Sequence, residues 1–458
     1  MSLTCFKAYD IRGQLGIDLD EGIAHRIGRG FARALAARRV VLGRDCRASS
    51  RALAQAVAQA LMAEGVEVLD LGLCGTEEMY FATDHFGADG GICVTASHNP
   101  MDWNGMKMVR AGAAPLDAAT GLSSIRALAE ADDFGPAQTG SHRDIAAEAR
   151  AAYVARVLSF VDIAALKPLK ILVNAGNGAA GPTFDAIVEA LAARGAPLEI
   201  IRLHHSPDGS FPNGIPNPLL PENQPVTALA VVDAGADFGV AWDGDFDRCF
   251  FFDHHGGFIP GEYVVGLLAE VFLAKAPGAK IIHDPRVIWN TLDVVARAGG
   301  QAVQSRTGHA FIKQAMRDHG AIYGGEMSAH HYFRDFCHCD SGMIPWLLIT
   351  ELVSRKGPLH DLVSTRRAAF PSSGEINFTL GDVPAAVARV RSSFAPRAQS
   401  IDETDGISMD MGSWRFNLRA SNTEPVLRLN VETKASDLQA YVDAITAMLR
   451  DGGDPAGD

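Results

Sequence analysis

Positive charge is in short supply in this chain. Its 458 residues carry 41 Lys and Arg against 54 Asp and Glu, a formal net charge of -13. That balance disfavours nucleic acid or an anionic membrane as a partner, so an anionic small molecule must be met by local groups of Lys and Arg. Long apolar runs are lacking too. The longest, Met343 to Ile349, falls far short of the ~20 residues of a membrane-spanning helix. Met1 to Gly13 carries charges and no apolar segment of signal-peptide length. Cysteine is sparse: seven residues, mostly single within apolar segments such as Ile92-Cys93-Val94, suit a reducing cytoplasm. The exception is Cys337-His338-Cys339, close after His330 and His331. Its Cys-x-Cys spacing is not the usual zinc spacing, and no second Cys/His pair follows.

What is present is ordinary soluble-protein composition, with 47% hydrophobic and 21% charged residues. The length predicts about three or four domains and ample chain to form a cleft. Three segments read as variants of one another: Gly87 to Gly91, Gly235 to Gly239 and Gly320 to Gly324. Each leads into a polar cluster. Earlier in each unit lies a short, wholly apolar strand ending in a polar turn: Val40 to Asp45, Ile171 to Gly176 and Ile281 to Asp284. Helical spacing between them, as in Arg51 to Glu64 and Pro182 to Arg194, gives repeated strand-helix-strand units around mainly parallel sheets. Ligands of such sheets gather at the carboxyl ends of the strands, where the three polar clusters fall. Asp208 to Glu222 is expected as one long irregular loop. From about Arg366 the pattern changes to alternating strands (Gly374 to Leu380, Ser413 to Leu418, Val426 to Val431) and a final helix from Ala435, the mark of a smaller α+β domain. The tail from Asp451 is expected to be disordered. The predicted divisions are 1–148, 149–250, 251–365 and 366–458.

Four clusters carry chemistry. Thr95-Ala96-Ser97-His98-Asn99-Pro100 presents a serine hydroxyl among turn-forming neighbours, although such a turn also serves simply to end a strand. Asp243-Gly244-Asp245-Phe246-Asp247-Arg248 sets three carboxylates on alternate residues, which repel one another unless a cation lies between them. All-oxygen ligands argue for Mg²⁺ or a similar hard ion. A calcium loop fails on register, since Arg248 and His254 stand where Gly and Glu are needed. Arg248 beside such a site suits a phosphate bridging the two. Arg419-Ala420-Ser421-Asn422-Thr423-Glu424-Pro425 offers a guanidinium, hydroxyls, an amide and backbone N–H groups, fit for a phosphate or for joining two strands. Glu326, Ser328 and His330 alternate, so an extended loop would aim them together at vicinal sugar hydroxyls; a self-satisfied turn is the rival reading. Arg12, in Tyr9-Asp10-Ile11-Arg12-Gly13, and Lys107 add cations near turns.

With these four motifs in order, the chain resembles the α-D-phosphohexomutase superfamily over nearly its whole length, most closely the bacterial phosphomannomutases. The resemblance implies a heart-shaped molecule with four domains around a central cleft, the first three sharing an α/β fold. It implies a phosphoserine at Ser97, with Ser97, Asp243, Asp245 and Asp247 around Mg²⁺. Arg12, Lys107 and Arg248 would neutralise the transferring phosphoryl group, and Lys107, His309 or His330 would move protons. Tyr9, Arg286, Glu326, Ser328, Arg419, Ser421, Asn422 and Thr423 would bind substrate. The implied reaction interconverts mannose 6-phosphate and mannose 1-phosphate through mannose 1,6-bisphosphate, supplying GDP-mannose synthesis. A sugar bisphosphate would be the activator, the chain a monomer or homodimer, and glucose phosphates the alternative substrates. Two departures stand out: Ala329 where many members have Gly, and Arg286 where Lys is frequent.

Overall fold

The short apolar runs become the centres of three similar sheets. The computed structural model describes residues 2–420, 426–434 and 437–450. In the first sheet, Gly90–Val94, Arg39–Arg44, Glu67–Leu73 and Ser141–Asp144 run parallel, in that spatial order. Trp103–Arg110 then adds antiparallel to Gly90–Val94, and Ile11–Gln14 antiparallel to Trp103–Arg110. The second sheet pairs Phe238–Trp242, Leu169–Asn174 and Leu198–Leu203 in parallel, then adds Cys249–Asp253 and Phe258–Ile259 antiparallel. The third repeats the scheme: Tyr323–Gly325, Lys280–His283 and Gln301–Gln304 are parallel, and His331–Phe333 and Cys339–Asp340 are antiparallel.

The sheets are thus mixed, with a parallel half as the strand-helix-strand pattern predicts. The antiparallel half was invisible because a strand such as Cys249–Asp253, buried at every position, has the same apolar run as a parallel one. This has a functional consequence. In every unit the polar cluster is the hairpin that joins the last parallel strand to the first antiparallel one, so it lies at the carboxyl end of the parallel strands.

Helices cover these sheets for local reasons. Glu21–Ala34 starts where the Asp20 carboxylate accepts from the Ile23 N–H at 2.7 Å, and it buries Ile23, Ile27 and Phe31 along one stripe. Gly28 lets it lie close on Ser50–Ala63, since a Cβ there would come within 2.8 Å of Ala60 Cβ. Of the loop expected over Asp208 to Glu222, residues 208–220 carry no helix or strand, while its last two residues enter the short 3-10 helix Pro221–Asn223.

The fourth unit is built differently. Ser372–Phe378, Leu427–Thr433, Trp414–Ala420, Ile407–Asp410 and Ser400–Asp402 form a wholly antiparallel sheet, with helices Val383–Phe394 and Leu438–Arg450 completing its core. That core, centred on Val390, Phe416, Leu429 and Ile445, is its own. By contrast one continuous apolar core runs through the first three units, from Tyr80 and Tyr153 through Phe184 and Trp242 to Trp346. The divisions expected after 148, 250 and 365 fall inside helix Ala146–Leu158, strand Cys249–Asp253 and helix Leu359–Ala369. Among the described residues no helix is long and apolar enough to cross a membrane. The tail from Asp451 lies outside the described residues.

Candidate active site

The three hairpins meet at one point, and each is turned sharply by a residue other than glycine in the left-handed region: Ser97 (φ 50°), Phe246 (φ 48°) and Ala329 (φ 70°). The serine loop is held from behind by Arg47, whose guanidinium donates to the carbonyls of Ser97 (3.0 Å), Asn99 (2.6 Å) and Pro100 (2.9 Å). Arg12 adds a bond to the Ala96 carbonyl at 2.7 Å. The Ser97 hydroxyl donates to Asp243 Oδ2 at 2.7 Å. Gly244 permits this contact, since a Cβ there would lie 2.5 Å from the Ser97 carbonyl oxygen. The third hairpin joins through the Arg248–His330 bridge and the Cys249 N–H bond to the Ala329 carbonyl (3.3 Å). Residues 326–330 form a turn, not the extended loop expected, and it is the turn at Ala329 that gathers Glu326, Ser328 and His330.

Asp243, Asp245 and Asp247 are all buried, and one carboxylate oxygen of each lies within 4.8 Å of the others. Cations surround them. Lys107 Nζ donates to Asp245 Oδ2 at 2.8 Å and also to Asp247, while Arg248 Nε donates to Asp243 Oδ2 at 2.9 Å. Thr76 Oγ1 donates to Asp245 Oδ2 at 2.6 Å. Among the described residues Asp245 Oδ1 and Asp247 Oδ1 are buried without a hydrogen-bond partner, so the hard oxygens of this triad fit a divalent cation. The groups close enough to share a metal contain no cysteine among the described residues, so Cys337-His338-Cys339 gathers no such site.

Burial pushes the Asp243 carboxyl above its ordinary range, with Arg248 opposing. At Asp247 burial acts the same way, but Lys107 and His330 outweigh it and hold the carboxyl well below. Burial works against the charge on Lys107, yet Asp245 and Asp247 raise its pKa, so it stays cationic. The two histidines are driven apart. Burial lowers the pKa of His330 less than Asp247 (3.6 Å) and Glu326 (3.3 Å) raise it, leaving it pushed up to about 9. His309 is held far below the usual range by burial and by Lys313 and Lys107, and among the described residues neither of its ring nitrogens has a hydrogen-bond partner. Tyr9 packs edge-on against its ring, with centroids 4.7 Å apart.

Farther out, Glu326 accepts from the Gly308 N–H at 2.9 Å and from the Tyr332 hydroxyl at 2.6 Å. Arg286, anchored on Asp284 at 2.6 Å, donates to Ser328 Oγ at 3.2 Å. Arg419 comes from the fourth unit, buried, with Nη2 3.6 Å from Glu375. Ser421, Asn422 and Thr423 lie outside the described residues. Sequence reasoning missed Thr76, Arg47 and Glu375, and also the buried pair Lys313–Asp340 (2.6 Å), whose aspartate lies within 4.8 Å of Asp247 and His330. Only position offered a signal, since Thr76 opens a helix just after a strand of the same sheet as Ser97.

Models of the phosphoglucomutase/phosphomannomutase family match end to end: α/β/α domain I at residues 4–135, domain II at 151–257, domain III at 260–370 and the C-terminal domain at 375–448. The chain belongs to the phosphoglucomutase/phosphomannomutase family. Its relatives there include a phosphomannomutase of Salmonella montevideo, 61% identical over 437 residues that cover 94% of this chain and 95% of that one. Phosphohexose mutases of Xanthomonas campestris are 56% identical over 98% of this chain and 100% of theirs. Among solved structures, a phosphoglucomutase/phosphomannomutase family protein of Burkholderia thailandensis superposes with a TM-score of 0.87 at 31% identity, covering 99% of both chains. The three family α/β/α domains carry the three site hairpins, and the C-terminal domain carries Arg419.

Proposed function

We propose that this chain is a phosphomannomutase, an isomerase that interconverts mannose 6-phosphate and mannose 1-phosphate through a phosphoserine at Ser97 and a bound mannose 1,6-bisphosphate. The observation that carries this reading is the Ser97 hydroxyl, 2.7 Å from Asp243 Oδ2 on the rim of a buried carboxylate triad. Phosphoryl transfer needs in-line placement and charge neutralisation more than it needs covalent chemistry.

Asp243, Asp245 and Asp247, with Ser97, would hold Mg²⁺, which when bound supplies Lewis-acid stabilisation of phosphoryl oxygens. Arg12, Lys107 and Arg248 neutralise further charge. Lys107, His309 or His330 would move the proton between the sugar hydroxyl and the phosphoryl oxygen, His330 lying between Asp247 and Glu326. Glu326 and Ser328 would bind sugar hydroxyls, with Tyr9 beside them. Arg286 and Arg419, with Ser421, Asn422 and Thr423, would grip the phosphate that is not being transferred. The bisphosphate must turn around between half-reactions, so one grip serves both ends and the fourth unit closes to keep water out.

The chain would work in the cytoplasm, as a monomer or homodimer and with a sugar bisphosphate as activator; all seven cysteines are free, in keeping with a reducing compartment. The second reading, a phosphohexomutase acting on glucose phosphates as well, is favoured by the Xanthomonas relatives that bear that name. Intact mass and peptide mapping after exposure to a sugar bisphosphate test the proposal. A hydroxylamine-resistant phosphate on Ser97, with faster turnover of mannose 1-phosphate than of glucose 1-phosphate, is expected. A phosphate on Asp243 or none at all refutes the mechanism, and faster glucose turnover refutes the substrate.

A further inference from the structure

Three arginines from two units gather on one carboxylate. Glu375, on the edge strand Ser372–Phe378 of the fourth unit, has Oε2 3.4 Å from Arg286 Nη1 and 3.6 Å from Arg419 Nη2, and Oε1 3.3 Å from Arg428 Nε. Arg286 belongs to the third unit and has Asp284 as well, at 2.6 Å. For Arg419, buried to 3% exposure, Glu375 is the only carboxylate within salt-bridge distance among the described residues. Among the described residues Arg419 Nε, buried too, has no hydrogen-bond partner. Burial and the neighbouring Arg286 both work against the charge on Arg419, and Glu375 works for it.

These distances are long for a charge-assisted bond, which closes to about 2.7–2.9 Å when the geometry is good. A single oxygen, Glu375 Oε2, faces both Arg286 and Arg419, and among the described residues the buried Arg419 Nε is left over. A phosphate, with more oxygens and more charge, would satisfy the set better.

We propose that Glu375 is a positioning residue that stands in for the substrate's phosphate: it neutralises and aligns Arg286 and Arg419 across the junction of the third and fourth units until the non-transferring phosphate replaces it. This rests on the reading of Arg286 and Arg419 as the phosphate grip. Glu375 therefore competes with the ligand while keeping its site assembled. The same loose hold lets the bisphosphate leave the grip and turn.

Calorimetric titration of the full-length protein with mannose 1-phosphate, and separately with inorganic phosphate, tests the sign. Glu375→Gln, nearly isosteric and uncharged, should bind both about tenfold more tightly, the effect of removing one like charge a few ångström from the bound anion. KM should fall by a similar factor while kcat does not rise. Glu375→Asp, which keeps the charge, should stay close to the parent, and circular dichroism should show both variants folded. Binding that is unchanged or weaker in Glu375→Gln, with Arg419→Ala also weakened, would overturn the stand-in role and make Glu375 a structural partner. Tightening by Glu375→Asp equal to that of Glu375→Gln would overturn it as well. If Arg419→Ala bound both ligands like the parent, the phosphate grip itself would fall, and the role of Glu375 with it.

Discussion

The first three units and the fourth are held by different forces. Phe184, in the second unit, packs its ring on Trp242 at 5.4 Å and on Trp346 of the third at 5.0 Å, inside a core that also takes in Tyr80 of the first. Among the described residues none of the fourth unit belongs to that core. Its junction with the third unit is made of hydrogen bonds and charges. Arg415 donates to the carbonyls of Arg286 (3.0 Å) and Pro285 (2.9 Å), Glu432 accepts from the Ile288 and Trp289 N–H groups, and Asp405 accepts from the Thr307 N–H. Apolar burial resists separation because water offers nothing in exchange, whereas water or a ligand can replace a polar bond at little net loss. The serine and the carboxylate triad lie in the fused part; the proposed phosphate grip spans the junction, with Arg286 on the fused side and Arg419 on the exchangeable side, a division suited to a reaction that fixes its chemistry and must release and regrip its intermediate.

The largest expected effect is chemical and confined to the fused part. Ser97→Ala should lower turnover by more than about a thousandfold, roughly 4 kcal/mol, by removing the nucleophile. Thermal melting should hardly change, and a variant retaining substantial turnover would remove Ser97 from the mechanism. Next, Phe184→Ala should destabilise by about 3–5 kcal/mol. Calorimetry should show the first three units shifting down together while the transition of the fourth stays, and a shift of both alike would erase the contrast. Arg419→Ala should lower kcat/KM by roughly ten- to a hundredfold, about 1.5–3 kcal/mol, equally for the 1-phosphate and the 6-phosphate. Loss with only one of them would mean two separate grips. The smallest is Asp405→Ala, which removes one junction bond worth about 0.5–1.5 kcal/mol. It should raise hydrogen exchange at Thr307 and Gly308 while leaving the core strands protected.

The site was legible where chemistry clusters along the chain. Three aspartates on alternate residues, a serine in a turn and a guanidinium among hydroxyls are local patterns, and the structure brings the first two together directly. Partners distant in sequence were not legible. Thr76 and Asp245 are separated by 169 positions, and nothing local to Thr76 marks it as a partner of a carboxylate triad. Glu375 reads as an ordinary residue of an edge strand until the fold brings three guanidiniums to it. The parallel halves of the sheets were readable from their apolar runs, but the reversal after each site hairpin was not, since burial on both faces looks the same in either direction. Glu326, Ser328 and His330 are drawn together by a left-handed turn at Ala329, not by the extended alternation expected.

That backbone setting reaches beyond the third hairpin. Ser97 also lies in the left-handed region, at φ 50°. A branched β-carbon is poorly tolerated there, because its second substituent meets the backbone in every rotamer. Threonine carries a hydroxyl as good as serine's, yet Ser97→Thr would have to distort the turn that aims this oxygen at Asp243. Which of two chemically equivalent alcohols can serve here is therefore decided by a main-chain torsion rather than by reactivity.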